Sequence, residues 1–164
     1  MRERRAVLTH RGGTRFAVRT DTAREMVFGD AAEQNEHSPV ETVVAALAAC
    51  TGMDVASILE KKRQVIDSYT VTVVAVQRDE YPQVLTRIEL LHDVAGPDVT
   101  EHDVKRCIEL SATKYCPVNA MLSAGETEIH HRYRVRGTGA RPFEASGVVL
   151  VTGPYRRPAA VVKG

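Results

Sequence analysis

Two cysteines with unlike neighbours offer the clearest chemistry in this sequence. Cys50 lies in the run Val43-Val44-Ala45-Ala46-Leu47-Ala48-Ala49-Cys50-Thr51-Gly52-Met53-Asp54-Val55, and Cys116 in Lys114-Tyr115-Cys116-Pro117-Val118. A thiol is nucleophilic only where something stabilises its thiolate, and a second thiol within reach allows reversible oxidation. The chemistry these two residues could do is therefore thiol redox. Cys50 also reads simply as a small hydrophobe packed like alanine. It stands mid-helix, away from the helix dipole, and Asp54 follows one turn later, where a carboxylate disfavours a thiolate. Activation of Cys50 needs a cation from elsewhere in the fold. Cys116 is better placed locally, because Pro117 suits the first position of a helix and free N–H groups there favour a thiolate. The third cysteine, Cys107, falls on the apolar side of its helix and reads as core.

Metal and cofactor motifs are not apparent. The spacing of nine between Cys107 and Cys116 is not that of a metal-binding cysteine pair. None of His10, His37, His92, His102, His130 and His131 has H-x-x-x-H or H-E-x-x-H spacing. The sequence contains no G-x-G-x-x-G, Walker A or G-x-S-x-G motif. We expect no metal and no cofactor.

The elements that must position the thiols follow from periodicity and caps. Arg5–Thr9 and Arg15–Arg19 read as a hairpin across Gly12-Gly13, with Met26–Phe28 as a further strand and a polar loop from 29 to 37. Ser38-Pro39-Val40-Glu41 opens a helix that runs to about Arg63 and is apolar nearly all round up to Leu59, which predicts burial on every face. Tyr69–Gln77 and Val84–Val94 read as strands either side of Tyr81-Pro82. Thr100 caps a second helix through about Thr113, with Val104, Cys107, Ile108 and Ser111 on one side. Pro117–Leu122 predicts a short helix and Ile129–Val135 a strand.

At 164 residues the chain has room for one domain with a real core. Its 43% hydrophobic and 26% charged residues are ordinary for a globular protein, and a net charge of +1 argues against a dedicated polyanion binder. We expect no nucleic-acid partner. The start, Met1-Arg2-Glu3-Arg4-Arg5, lacks the apolar stretch of a signal peptide. No uncharged apolar run of about 18 residues is present, so no membrane span is expected. An odd number of cysteines without a signal peptide fits a reducing cytoplasm. From Gly137 the composition turns to Gly, Pro and Arg, around one apolar patch at Gly147–Val151. Residues 132–164 carry seven basic groups and one acidic group. We place a main domain at 1–136 and a basic extension at 137–164, the latter a solvated tail or an added strand.

Ser38-Pro39-x-Glu41 leading into Ala45-Ala46-Leu47-Ala48-Ala49-Cys50-Thr51-x-Met53-Asp54-Val55-x-Ser57-Ile58-Leu59, followed by Lys62-Arg63-Gln64, resembles the OsmC/Ohr family. Leu110-Ser111-Ala112-x-Lys114-Tyr115-Cys116-Pro117-Val118 resembles it too. The likeness spans roughly residues 5–135 and is closer to an OsmC-like branch than to Ohr proper. It implies an α+β fold, an intertwined homodimer with antiparallel sheets wrapped around long central helices and active sites at the subunit interface. It also implies that Cys50 is a peroxidatic thiol attacking an organic hydroperoxide. Cys116 would be the resolving thiol, closing a disulfide that a dithiol such as a lipoyl-protein resets. Ohr members place a glutamate directly after the proline, where this chain has Val40 and then Glu41. A spacing of nine puts Glu41 on the opposite helix face from Cys50, where it can serve as a cap. Ohr members place an arginine after a Gly-Gly turn, where Gly12-Gly13-Thr14-Arg15 has one residue interposed. Arg15 is the candidate cation, with Arg19 and Arg24 behind it. The candidate site is thus Cys50, Cys116, Arg15 and Glu41. The alternative function is a non-enzymatic redox sensor or small-ligand binder.

Overall fold

A computed structural model describes residues 3–21, 24–29 and 36–154. The chain divides into two compact units, 1–45 and 46–164. In the first, strands β1 (Ala6–Gly12), β2 (Arg15–Thr20) and β3 (Glu25–Phe28) form an antiparallel sheet in that order. The β1–β2 hairpin turns through Gly12 and Gly13 at φ 102° and 57°. Only a residue without Cβ takes this region freely. A parallel bridge joins Phe28 to His37, and most of the expected loop before it lies outside the described residues. Helix α1 (Pro39–Lys61) begins in this unit and runs on into the second.

The second unit is a four-stranded sheet with helices packed against it. Its strands are β4 (Ser68–Gln77), β5 (Leu85–Gly96), β6 (Glu128–Gly137) and β7 (Phe143–Thr152), in that order. β4–β5 and β6–β7 pair antiparallel, but β5 and β6 are parallel. The sheet is therefore mixed rather than antiparallel as expected. Parallel neighbours need a crossover. Here the crossover carries α2 (Glu101–Leu110), a π-helical turn (Ser111–Tyr115) and α3 (Pro117–Ser123). The π turn replaces the α-helix expected through Thr113. Thr100 caps α2 as read from the sequence, its hydroxyl accepting the Asp103 N–H. The segment expected as a basic extension supplies an added strand: β7 pairs with β6 from Gly137–Phe143 to Ile129–Thr152. Its end, 155–164, lies outside the described residues. The class is α+β, with two sheets and three α-helices among the described residues.

The core lies between the helices and the larger sheet. Val55 and Leu59 of α1 meet Val94 of β5, Val104, Cys107 and Ile108 of α2, Tyr133 and Val135 of β6, and Leu150 of β7. Burial of α1 differs from the all-round burial expected. Only Leu47, Thr51, Val55 and Leu59 are fully covered, a single i, i+4 stripe. Met53 is 74% exposed and Val43 39%. Asp54 interrupts the uncharged run, yet by length and composition α1 is apolar enough to cross a membrane. The packing of Val55 and Leu59 into the core accounts for that apolarity on one face. The helix ends where Arg63 takes φ 59° and Gln64 N–H bonds back to the Leu59 carbonyl at 3.0 Å.

Candidate active site

Cys50 precedes Thr51 on α1 and so lies beside the buried stripe, half-exposed at its edge. Asp54 follows one turn later on the same side. Across from them, the crossover delivers Cys116. Its backbone stands at φ −75° and ψ 103°, the extended conformation that a following proline imposes. The Cys116 N–H closes the π turn by bonding to the Ser111 carbonyl at 2.9 Å. Such turns widen a helix locally and recur at functional sites. Here the turn places two side chains against α1. The Ser111 hydroxyl donates to the Asp54 carboxylate at 2.9 Å and lies 3.1 Å from the Thr51 hydroxyl. The Cys116 and Cys50 sulfurs stand 2.7 Å apart. Both cysteines are free thiols. A disulfide bond is about 2.05 Å long, so little movement separates the two states.

The helix start favours a thiolate at Cys116, and its burial opposes one. Burial pushes its pKa up to about 12, and the Cys50 sulfur beside it adds to the shift. Hydrogen bonds from the Asn119 and Val118 backbone act in the other direction but do not win. The helix-start N–H groups are present, with Asn119 N–H 3.3 Å from Sγ. Loss of water outweighs them. The surroundings of Cys116 thus disfavour its thiolate.

Behind Cys116 lies a polar layer that the sequence reading did not single out. Asn119, 1% exposed, gives its side-chain N–H to the Ala112 carbonyl at 2.8 Å. Its Oδ1 is 3.0 Å from His131 Nε2 and accepts from the Thr152 hydroxyl at 3.3 Å. His131 stacks on His92, whose Nδ1 is 2.7 Å from the Tyr69 hydroxyl. Burial, and then the neighbouring His131, hold His92 down at a pKa of about 3, and burial pushes the Tyr69 hydroxyl up. Period-two alternation was the signal available: His92 shares its register with Leu90 and Val94, and His131 with Ile129 and Tyr133, all inward-facing.

The other candidates stand in the first unit. Arg15, on β2, is held by Glu36, its Nε and Nη2 both 2.6 Å from one carboxylate oxygen. The glutamate paired with Arg15 is thus Glu36. Glu41 stands exposed in the first turn of α1, where an acidic residue suits the positive end of the dipole. A concavity on the second unit, about 620 Å³, lies on the sheet among Thr72, Glu89, Arg132 and Arg134 and includes neither thiol. No metal spacing was visible in the sequence, but the fold brings Cys50, Asp54 and Cys116 together with their ligand atoms within 4.8 Å of one another.

Comparison with known proteins places this architecture. Protein YhfA of Escherichia coli (strain K12) is 33% identical over 123 residues, covering 75% of this chain and 91% of YhfA. A hypothetical protein from Aquifex aeolicus VF5 superposes with a TM-score of 0.72 at 26% identity, covering 82% of this chain and 97% of that one. An organic hydroperoxide resistance protein from Elizabethkingia anophelis superposes at 0.63 with 18% identity, over 84% and 98% of the two chains, and shares the fold. The family model for OsmC-like proteins matches residues 32–132, a span that holds both thiols of the site, and the chain belongs to that family.

Proposed function

We propose that this protein reduces organic hydroperoxides through the Cys50–Cys116 pair, as a homodimer in the cytoplasm. The observation that carries this reading is the 2.7 Å between two free sulfurs. In the first step the Cys50 thiolate attacks the terminal oxygen of the hydroperoxide. The O–O bond breaks, the alkoxide leaves and takes up a proton as the alcohol, and Cys50 becomes a sulfenic acid. The Cys116 sulfur then attacks the Cys50 sulfur, water leaves and a disulfide forms. An external dithiol, such as a protein-bound lipoyl group, restores both thiols by exchange.

The division of roles rests on surroundings. Cys50 is half-exposed, with its sulfur beside that of Cys116. Cys116 is 3% exposed, which suits a sulfur that meets only its neighbour. Arg15, its guanidinium fixed by Glu36, is the arginine that the family resemblance puts forward as the supporting cation. Glu41 is assigned to the helix start. The dimer reading is supported by the apolar α1 residues that one chain leaves uncovered. The name of the Elizabethkingia protein points to the same substrate class.

The test is rapid mixing of reduced protein with cumene hydroperoxide. We expect one peroxide consumed per chain without added reductant, and a Cys50–Cys116 disulfide in the mass spectrum on the same timescale. Reduced protein that consumes no peroxide overturns the reading. A disulfide that forms only over many minutes, without turnover when dithiol is added, assigns the pair to sensing instead.

A further inference from the structure

We propose that the reduced site is also a metal site, in which Cys50, Asp54 and Cys116 bind one thiophilic divalent cation of the zinc type. The inference stands on the donor geometry and does not depend on the peroxidase reading. The three ligand atoms lie within 4.8 Å of one another. Two come from successive turns of α1 and the third from the start of α3, so they approach from opposite sides. Zinc bonds of about 2.3 Å to sulfur and about 2.1 Å to oxygen place tetrahedral ligands roughly 3.5–3.8 Å apart. The carboxylate oxygen stands within 4.8 Å of both sulfurs, and the sulfurs, 2.7 Å apart, must part by about 1 Å. Cys50, on the half-exposed edge of α1, is the sulfur that the proposal moves.

The supporting contacts are those a metal site needs. Ser111 donates to Asp54 Oδ2 and holds the carboxylate. The Asn119 N–H holds the Cys116 sulfur. Groups of this kind orient ligands and tune affinity. Two sulfurs and one carboxylate favour zinc, cadmium or cobalt over magnesium or calcium, which prefer all-oxygen sets. Three protein ligands leave a fourth position for water or an exogenous anion. Cys50 and Asp54, both half-exposed, provide the entry path, and Cys116 closes the inner side.

Cobalt(II) titration of the reduced protein under anaerobic conditions tests the proposal. We expect a sulfur-to-cobalt charge-transfer band that saturates at one equivalent per chain, is displaced by zinc and is unmoved by magnesium. Cys50→Ser and Cys116→Ser each remove most of that band, so either one serves if the other fails to fold. Asp54→Asn keeps a band but weakens binding tenfold or more, and Ser111→Ala weakens it by about tenfold. Cys107→Ala leaves the titration unchanged. The proposal is overturned by the absence of a band at stoichiometric cobalt. It is equally overturned by a band that persists in both site-cysteine variants, or by unchanged affinity in Asp54→Asn.

Discussion

Cys107 and Cys116 are both buried and lie nine residues apart, yet one is embedded in the core and the other belongs to a site. Burial raises both, Cys107 to about 11 and Cys116 to about 12. Proton affinity does not tell them apart. What differs is the company: Cys107 sits among Val55, Leu59, Val104 and Ile108, while Cys116 faces a second sulfur at 2.7 Å and a buried asparagine. A reactive thiol is recognised by the partner that can take or share its electrons, and desolvation alone marks nothing.

Variants can break or sharpen this contrast. Cys50→Ser should have the largest effect, reducing peroxide consumption to the uncatalysed rate, read by loss of cumene hydroperoxide. Cys116→Ser should consume about one equivalent and then stall as a Cys50 sulfenic acid, trapped by dimedone and weighed by mass spectrometry. Asn119→Ala removes the contacts to Ala112, His131 and Thr152 and should cost about 1–3 kcal/mol in urea unfolding, with slower disulfide closure. Cys107→Ala should be the mildest, costing about 1 kcal/mol through a small cavity with peroxide turnover unchanged. A Cys107 variant that lost turnover would erase the contrast.

The polar layer adds a pH dependence between those two cases. His92 has a native pKa of about 3 against an ordinary 6.5. The unfolded chain therefore binds a proton that the native state refuses between these values. Stability falls as pH drops below about 6.5, by up to about 1.4 kcal/mol per pH unit, and His92 contributes no slope above that. Unfolding midpoints measured from pH 7.5 to 5 should show this slope in the parent and lose it in His92→Gln. An equal slope in both assigns the acid sensitivity elsewhere.

Much of the fold was legible because its signals are local. Pro39 and Arg63 bound the long helix, Thr100 caps α2, and Pro117 starts α3 with Cys116 at its cap. What escaped was non-local or ambiguous. The π turn at Ser111–Tyr115 has no distinguishing residue pattern. The parallel β5–β6 pairing depends on a crossover rather than on either strand's composition. The all-round apolarity of α1 predicted a burial that one chain supplies only along Leu47, Thr51, Val55 and Leu59.

The sequence by itself determined where Cys50 and Cys116 stand on their helices and, through motif resemblance, which pair to watch. Only the tertiary structure decided that burial disfavours the Cys116 thiolate and that Asp54 joins the two thiols. The reason is physical: the sulfurs are 66 residues apart in the chain. Their spacing and solvation are set by how the crossover packs on α1, and no local pattern encodes that packing.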